Sequence, residues 1–289
     1  MRVLVIGCGL VGRELASQLK SDGHYVIGTT TSVDKVESLE AYCDEIRVLR
    51  GGERDKVHAA AQGCDAIAVC AGPNAKQAMT PEQRRNTYRE ILVETARSAA
   101  SAPIDGPVVA LSSLTVYGDA ANHLNLIDED APLTDSEDAS PSCFKAAEQV
   151  YRSDAPTRHV IFRCSDITGG EDPPIEAKLK MAHDFFGGHV PFEDQALFYR
   201  VHQLDVVRAM KHAIYHTMNG TFNLTHEAPA PQNAEFFNAV CDQEGLPRLT
   251  FLNQIKAPAQ PVSVQRLLET GFTLEFTEAE QMPELANAG

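Results

Sequence analysis

The feature that most constrains this chain is a glycine-rich turn close to its first residue. The apolar, β-branched run over 2–6 continues directly into Gly7-Cys8-Gly9-Leu10-Val11-Gly12 and then into an amphipathic pattern. This order predicts a strand, a tight turn and a helix, which is the context in which a GxGxxG motif binds a dinucleotide. Gly7 permits the sharp turn, Gly9 lets a pyrophosphate approach the backbone, and Gly12 lets the helix pack closely on the sheet.

The N–H groups at the start of that helix are the second part of the predicted site, because they attract phosphate oxygens. The predicted cofactor contacts in the turn are Gly7, Gly9, Leu10, Val11 and Gly12. A glycine turn of an α/β protein without a ligand is the alternative interpretation of the same residues.

The end of the second predicted strand, over 24–29, indicates which dinucleotide binds. An Asp or Glu at this place binds the 2′-hydroxyl of NAD, but the chain has no carboxylate there before Asp34. Hydroxyl groups followed by a lysine fit a 2′-phosphate better than a bare ribose, although the arginine usual at such a site is missing. NADP is therefore favoured over NAD, with a solvated loop as the alternative. The predicted contacts are Thr29, Thr30, Thr31, Ser32 and Lys35.

Composition places the chain among globular proteins with a large buried core. Of its 289 residues, 43% are hydrophobic and 22% are charged, and no apolar run is long enough to span a bilayer. The formal net charge of −15 disfavours nucleic acid and anionic membranes as partners. An N-terminal core strand leaves no room for a signal peptide, so we expect a cytoplasmic protein.

The cysteines agree with that expectation. Seven of them are scattered without CxxC or Cys/His spacing, which predicts reduced thiols and no metal site. Cys8, Cys70 and Cys164 lie in or beside apolar strands and are interpreted as small core residues.

Strand and helix patterns alternate through the first part of the chain. Short apolar strands are predicted over 46–49, 65–70 and 108–111, and a long helix over 80–100. This alternation predicts an α/β fold, a parallel sheet with helices on both faces. The fourth strand ends in small residues, which let the backbone lie against the adenylate side of the cofactor. Ala71 and Gly72 are therefore further predicted cofactor contacts.

A serine-rich segment after the fifth strand is the first that resembles a known family. It reads Ser112-Ser113-Leu114-Thr115-Val116-Tyr117-Gly118. An SSxxxYG segment at this place in a GxGxxG protein resembles the extended short-chain dehydrogenase/reductase family, the NAD-dependent epimerase/dehydratase group that acts on sugar nucleotides. Later segments resemble that family in the same order, at 159–163, 168–170, 199–207, 220–224 and 267–272. The resemblance implies a Rossmann-type, doubly wound parallel sheet with a small C-terminal substrate lobe.

The resemblance also implies a catalytic Ser or Thr, a Tyr and a Lys. In the family the lysine binds the nicotinamide ribose and lowers the pKa of the tyrosine, which moves a proton while NAD(P) exchanges a hydride. Tyrosine needs this help because its ordinary pKa is about 10. Ser113 falls on the serine position, with a turn-capping hydroxyl as the alternative. Ser112, beside it, is a further predicted cofactor contact.

The stretch that should carry the family's YxxxK motif, 140–149, contains no tyrosine. Counting back four residues from Lys145 reaches a proline. Alignment on Glu148 instead puts Ser140 at the tyrosine position and Phe144 at the lysine position. Either way the pair is broken, and the chain is placed in the atypical subset of the family that lacks YxxxK, which its GxGxxG spacing also fits.

Three interpretations of the catalytic residues stay open. Tyr117 acts as a surrogate, with Lys145 near the ribose; or other residues, such as His202 or Asp166, catalyse a different reaction; or the protein binds the cofactor without turnover. Tyr117 has packing or substrate contact as its alternative role. The predicted catalytic set is Ser113, Tyr117 and Lys145.

Two stretches interrupt or follow the last predicted strands, at 171–194 and 226–280. We interpret them as a small substrate lobe over the C-terminal edge of the sheet, where ligands of open α/β sheets bind. The Rossmann domain then comprises 1–170 with 195–225, and 281–289 form a frayed tail.

Candidate substrate contacts are Thr115, Arg200 and His202. Arg200 fits an anionic group such as a phosphate, with a solvated rim arginine as the alternative. His202 stands three residues before Asp205, and the alternative for this pair is a helix cap with sheet contacts. The acidic run over 128–138 is interpreted as a solvated loop beside the cleft.

Two functions of different class follow. The first is an NAD(P)-dependent oxidoreductase or epimerase-like enzyme that acts on a hydroxyl-bearing small molecule such as a nucleotide sugar. The alternative is a non-catalytic NAD(P)-binding sensor or partner protein. The family expectation for assembly is a homodimer through the helices around 80–100 and 144–153.

Overall fold

A parallel sheet of seven strands forms the centre of the part of the chain that the computed structural model describes, residues 1–73, 80–154, 158–227 and 229–276. The strands are β1 (Arg2–Ile6), β2 (Tyr25–Thr30), β3 (Glu45–Val48), β4 (Ala66–Val69), β5 (Val108–Ser113), β6 (His159–Cys164), β7 (Asp166–Thr168), β8 (His189–Phe192), β9 (Arg200–His202), β10 (Gly220–Leu224) and β11 (Thr250–Ile255). The central sheet has the order β3-β2-β1-β4-β5-β6-β10. Two small parallel pairs, β7 with β9 and β8 with β11, lie outside it.

The helices connect these strands. They are α1 (Leu10–Ser21), α2 (Val36–Leu39), α3 (Arg54–Ala61), α4 (Pro81–Tyr88), α5 (Thr95–Ala100), α6 (Ala139–Asp154), α7 (Ile175–Phe186), α8 (Gln203–Tyr215), α9 (Asn233–Glu244) and α10 (Gln265–Leu268). The helix predicted over 80–100 is one helical stretch, in which a π-helical segment, Arg89–Glu94, joins α4 to α5. Thr80 begins it with a capping box to Gln83.

Strand order reverses at the centre of the sheet. The chain proceeds outward from β1 through β2 to β3, and then outward on the other side from β4 through β5 to β6. This is the doubly wound arrangement, in which a crevice opens at the carboxyl ends of the strands where the order reverses. The predicted fold class is confirmed. The crevice therefore lies where β1 and β4 end.

Apolar side chains on the two faces of the sheet form two separate cores. Along β1, Val3 and Val5 belong to the cluster that α1 and α8 cover, whereas Leu4 and Ile6 belong to the cluster that α3, α5 and α6 cover. Successive side chains of a strand point to opposite faces, and both faces are covered. This is why the strand is a continuous apolar run.

A third apolar cluster lies outside the central sheet. It is formed by side chains of α7, β8 and α9 and the segment before β11: Leu179, Val190, Phe236, Val240, Cys241 and Leu249. The predicted tail, 281–289, lies outside the described residues. None of the helices in the described part has the length and hydropathy needed to cross a bilayer.

Candidate functional site

Two glycines of the turn after β1 are required by the packing of the protein itself. Gly7 has φ +92°, and its N–H donates to Thr29 Oγ1 at 2.9 Å. A Cβ on Gly7 would lie 2.7 Å from the backbone nitrogen of Ala71, which follows β4. A Cβ on Gly12 would lie 2.1 Å from the Gly7 carbonyl oxygen. These contacts bring α1 close to the ends of β1 and β4.

Gly9 differs from these two glycines. Its φ is −87° and its ψ −147°, and a Cβ there would meet nothing within 4 Å. The residue is the N-cap of α1, where no side chain accepts a hydrogen bond from the helix and the first turn has no acidic residue. The N–H groups at the start of α1 therefore carry a positive partial charge that no side-chain cap or first-turn carboxylate offsets, which suits an anion.

A second loop contacts the same helix start. The side chain of Arg13, in the first turn of α1, pairs with Glu171 at 2.6 Å, and Glu171 is 74% exposed. Gln203 donates through Nε2 to the Leu10 carbonyl at 2.8 Å. A Cβ on Gly170 would lie 1.9 Å from Gln203 Oε1. The loop after β7 thus lies against the start of α1 and places the Glu171 carboxylate beside that helix start.

The hydroxyls predicted for the adenosine ribose are not equivalent. Thr29 is buried and accepts the Gly7 N–H, so it supports the turn. Thr30 is also buried, and its Oγ1 accepts the Ser32 N–H at 3.2 Å. Thr31 and Lys35 are exposed. Of this predicted set, Thr31 and Lys35 are the residues whose side chains face solvent.

At the end of β5, three hydroxyl groups form a short series. Thr115 donates to Ser113 Oγ through its N–H at 3.2 Å and through its own hydroxyl at 3.1 Å. Thr115 Oγ1 also lies 3.5 Å from Ser140 Oγ, at the start of α6. All three side chains are half-buried. The structure thus brings Ser113 and Thr115 together with Ser140, one of the two residues that alignment places at the tyrosine position.

Tyr117 lies apart from these hydroxyls. The side chain is 0% exposed, and its oxygen accepts from Arg163 Nη1 at 2.8 Å. Its hydroxyl donates to Asn223 Oδ1 at 2.8 Å or to the Asp128 carbonyl at 3.0 Å. Burial raises the pKa of Tyr117 to about 12. A phenol that is buried, bonded and this weakly acidic favours the packing role over that of a surrogate base.

Behind the hydroxyls lies a buried ion pair. Arg163, on β6, binds Glu148, on α6, through Nη2–Oε2 at 2.8 Å and Nε–Oε1 at 3.0 Å, and the two residues are 2% and 1% exposed. Burial alone would lower the pKa of Arg163, but its bonds to Glu148 raise it above the ordinary value. Arg152 adds a bond to Glu148 at 2.6 Å, and so does Ser112, also at 2.6 Å. The Ser112 hydroxyl is therefore bonded within the protein.

Sequence reasoning missed this ion pair. The signal available was an arginine inside the apolar strand His159–Cys164, since a buried arginine needs a carboxylate partner. The acidic loop was also misinterpreted in part: Glu129 is buried rather than solvated, and it accepts the Asn223 N–H at 2.8 Å. Burial raises the pKa of Glu129.

Helix α6 presents Phe144 and Lys145 to different surroundings. Phe144 lines a mainly apolar pocket together with Ala71, which follows β4, and Leu111 of β5. The ammonium group of Lys145 donates to the Thr134 carbonyl in the acidic loop. Of the two alignments, this geometry favours the one that puts Ser140 and Phe144 at the tyrosine and lysine positions.

The candidate substrate contacts outside β5 have structural partners. Arg200 is buried, and its guanidinium lies over the rings of Phe198 and Phe236. His202 is the N-cap of α8, where its Nδ1 accepts the Leu204 N–H at 3.2 Å. Its ring stacks on Phe276 at 4.4 Å between centroids.

The remaining acidic candidates are paired as well. Asp205 is buried and accepts from Arg208 at 2.6 Å. The carboxylate of Asp166 lies 3.7 Å from Lys178 Nζ. Among the described residues, no group of three or more His, Cys, Asp or Glu side chains could hold a metal ion. The feature that fits a charged ligand is therefore the start of α1, whose donors suit a pyrophosphate.

Fold and site together define an α/β protein of the Rossmann type. The model of the NAD dependent epimerase/dehydratase family matches residues 3–225. The chain belongs to this family, as its sequence resemblance implied. No curated protein matches the chain.

Solved structures with the same fold are similar over nearly the whole chain. A short-chain dehydrogenase/reductase superfamily protein from Agrobacterium tumefaciens with bound NAD is 20% identical, with a TM-score of 0.73, over 97% of this chain and 94% of that one. UDP-glucose 4-epimerase from Thermotoga maritima, solved with UDP-glucose, is 14% identical, with a TM-score of 0.76, over 97% and 96%. The enzyme WbmG from Bordetella bronchiseptica, in complex with NAD, is 15% identical, with a TM-score of 0.73, over 96% and 90%. At these identities the likeness shows the fold.

Proposed function

We propose that this protein binds a nicotinamide dinucleotide at the turn after β1 and uses it as an oxidoreductase or epimerase-like enzyme on a hydroxyl-bearing small molecule. The observation that carries the proposal is Gly9. A Cβ there would meet nothing within 4 Å, and the helix start beside it has no side-chain cap. A glycine whose Cβ position is empty is explained by a ligand that must approach the backbone.

The pyrophosphate would bind to the N–H groups at the start of α1, and Gly7, Gly9, Leu10, Val11 and Gly12 would form its contacts. Ala71 and Gly72 would lie against the adenylate side. We propose NADP ahead of NAD, because the end of β2 offers the exposed Thr31 and Lys35 and no carboxylate before Asp34. Thr29, Thr30 and Ser32 would shape that corner through bonds within the protein.

The reacting end would be the hydroxyl series at the end of β5. A bound nicotinamide dinucleotide supplies hydride transfer. Ser113, Thr115 and Ser140 would orient a hydroxyl or carbonyl oxygen of the substrate and pass its proton along their hydrogen bonds. Lys145 would hold the acidic loop in place through its bond to the Thr134 carbonyl. Ser112 would hold Glu148 in place through its hydroxyl.

A nucleotide sugar is the substrate class that we propose, because a solved structure of the same fold contains UDP-glucose. Arg200 and His202 are the proposed contacts on that side. The small lobe would comprise 171–194 and 226–280, and the Rossmann domain 1–170 with 195–225.

Unpaired thiols at all seven cysteines fit the proposed cytoplasmic location.

The proposed assembly is a homodimer through α4–α5 and α6. The large apolar side chains that are exposed among the described residues lie elsewhere, including Met181, Phe185 and Phe186 on α7. A dimer through α4–α5 and α6 would therefore join mainly polar surfaces. Sedimentation velocity at two protein concentrations distinguishes a dimer from a monomer.

The alternative proposal is a cofactor-binding sensor without turnover. It is favoured by the buried, bonded phenol of Tyr117 and by Phe144 in an apolar pocket. Hydroxyl groups alone are weak bases at neutral pH. An enzyme and a sensor share the dinucleotide site and differ at the end of β5.

One experiment separates these functions. NADPH, NADH, NADP and NAD are titrated while the melting temperature is followed, and oxidation of bound NADPH is then measured with a panel of carbonyl compounds and nucleotide sugars. If the protein is an enzyme, we expect at least one substrate to oxidise bound NADPH, and we expect Ser113→Ala to abolish that oxidation. Binding without oxidation, unchanged in Ser113→Ala, supports the sensor. A melting temperature unmoved by all four dinucleotides contradicts both.

A further inference from the structure

The thiols of Cys8 and Cys43 lie close together beside the glycine turn. Cys8 lies in the turn itself, and Cys43 precedes β3, on the other side of β2. A Cβ on Gly28, in β2 between them, would lie 2.3 Å from Cys43 Sγ and 2.8 Å from Cys8 Sγ. The two sulfurs therefore occupy the space that any side chain at Gly28 would need, and they lie no more than 5.1 Å apart.

This pair differs chemically from the other cysteines. The neighbouring Cys8 thiol lowers the pKa of Cys43 against the opposing effect of burial, and the positive charge of Lys20 acts in the same direction as Cys8. The Cys43 thiol and burial raise the pKa of Cys8. Burial raises the pKa of each of the other five, Cys64, Cys70, Cys143, Cys164 and Cys241. Cys43 is thus the cysteine whose pKa is lowered, and the pKa of its neighbour Cys8 is raised.

We propose that Cys8 and Cys43 are an oxidisable dithiol that a peroxide converts to a disulfide, and that this disulfide weakens dinucleotide binding at the turn. In the first step the Cys43 thiolate attacks the O–O bond of hydrogen peroxide, which gives a sulfenic acid and, with one proton, water. In the second step the Cys8 sulfur attacks the sulfenic sulfur, and the second water leaves with the Cys8 proton. The two thiols are oxidised, and one peroxide is reduced to two waters.

The coupling to the turn follows from the position of Cys8. Its N–H donates to the Thr29 carbonyl at 3.0 Å, and its neighbours are Gly7, which donates to Thr29 Oγ1, and Gly9. A disulfide requires a sulfur separation of about 2.05 Å, much shorter than the contact distance of two sulfurs that are not bonded. Cys8 must therefore shift toward Cys43 across Gly28, and the turn shifts with it. A bound dinucleotide, which needs the turn in its present shape, opposes that shift.

Peptide mapping of the full chain after treatment with hydrogen peroxide tests the disulfide. We expect a linked pair of peptides containing Cys8 and Cys43, which dithiothreitol separates. The link is lost in Cys43→Ala and in Cys8→Ser, and it is retained in Cys143→Ser, which removes a buried thiol far along the chain. Circular dichroism of each reduced variant checks that it folds. A wild-type protein that loses other thiols first, or forms no link between Cys8 and Cys43, overturns the proposal.

A binding measurement on the same samples tests the coupling, which rests on the proposed function. We expect NADP to bind about tenfold more weakly to the mapped disulfide form, with recovery in dithiothreitol and no peroxide effect in Cys43→Ala. Equal affinities of the disulfide and thiol forms overturn the coupling. If the reduced protein binds no dinucleotide while the link still forms, the proposed function fails and the oxidisable dithiol stands.

Discussion

The two ends of the candidate cleft are built in different ways. The end after β1 is made of backbone: Gly7 and Gly12 are required by close approach, and Gly9 is open. The end after β5 is made of side chains, with hydroxyls in front of a buried pair between Arg163 and Glu148. A backbone site keeps its shape through glycine spacing, whereas a side-chain site depends on partners far apart in the sequence.

Breaking the buried pair should have the largest effect on stability. We expect Arg163→Met to lower the free energy of unfolding by about 3–5 kcal/mol, because it leaves Glu148 buried without its main partner. Urea denaturation measures this loss. Arg152→Met removes the other cation on the same carboxylate, and there we expect about 1 kcal/mol or less, since Arg152 is partly exposed. Equal losses in the two variants would show that burial does not set the energy of this network.

Substitutions at Gly12 and at Gly9, both in the glycine turn, should differ clearly in their effect on the free energy of unfolding. We expect Gly12→Ala to cost about 2–3 kcal/mol of stability, because its Cβ meets a backbone carbonyl that cannot move aside easily. Gly9→Ala should cost about 1 kcal/mol or less, because its Cβ meets no neighbour and the change only replaces one N-cap residue by a poorer one. Thermal and urea unfolding of both variants measure the difference. A Gly9→Ala loss as large as that of Gly12→Ala would mean that the fold itself requires this glycine.

The buried phenol of Tyr117, bonded to side chains of β6 and β10, offers a test at high pH. Burial raises the pKa of Tyr117 to about 12, whereas in the unfolded chain it is about 10. A folded-state pKa above the unfolded value means that stability is lost as the pH rises between them. We expect Tyr117→Phe to cost about 1–2 kcal/mol at neutral pH and to lose less stability than the wild type between pH 10 and 12. Parallel stability curves would contradict this placement of the phenol.

The smallest expected effect lies at the carboxylate beside the helix start. Glu171 pairs with Arg13 and adds negative charge where an anion should bind. We expect Glu171→Gln to tighten NADP binding by about two- to fivefold at low salt, with less effect at high salt. Isothermal titration at two ionic strengths measures the change. Glu176→Gln, on α7, is the control for general loss of negative charge. Weaker binding in Glu171→Gln would mean that the pair with Arg13 supports the site.

How far the sequence predicts each end follows from this difference in construction. The doubly wound sheet and its crevice can be predicted from the sequence, because both depend on local patterns. These patterns are the alternation of strands with helices and the spacing of Gly7, Gly9 and Gly12. Pairs such as Arg163 with Glu148 do not appear in any local pattern, because they join β6 to α6 across 15 residues.

The role of Tyr117 could not be predicted from the sequence, because it depends on a distant partner. It follows Ser113 by four residues in a segment that resembles a catalytic one, and its sequence neighbours carry no sign of the arginine that binds it. The contact between Cys8 and Cys43 is likewise invisible along the chain, since three strands must align to bring the two sulfurs over Gly28. Side chains whose role depends on distant partners are the ones that sequence reasoning misplaces.

The measurement that tests the central claim most directly is dinucleotide binding by Gly9→Val. A valine Cβ at this position meets nothing in the protein, so the variant should fold, as its circular dichroism and melting temperature without ligand will show. We expect the wild type to bind NADP or NAD with a rise in melting temperature, and Gly9→Val to lose that rise completely. A folded Gly9→Val that binds either dinucleotide as the wild type does would contradict a pyrophosphate site at the start of α1.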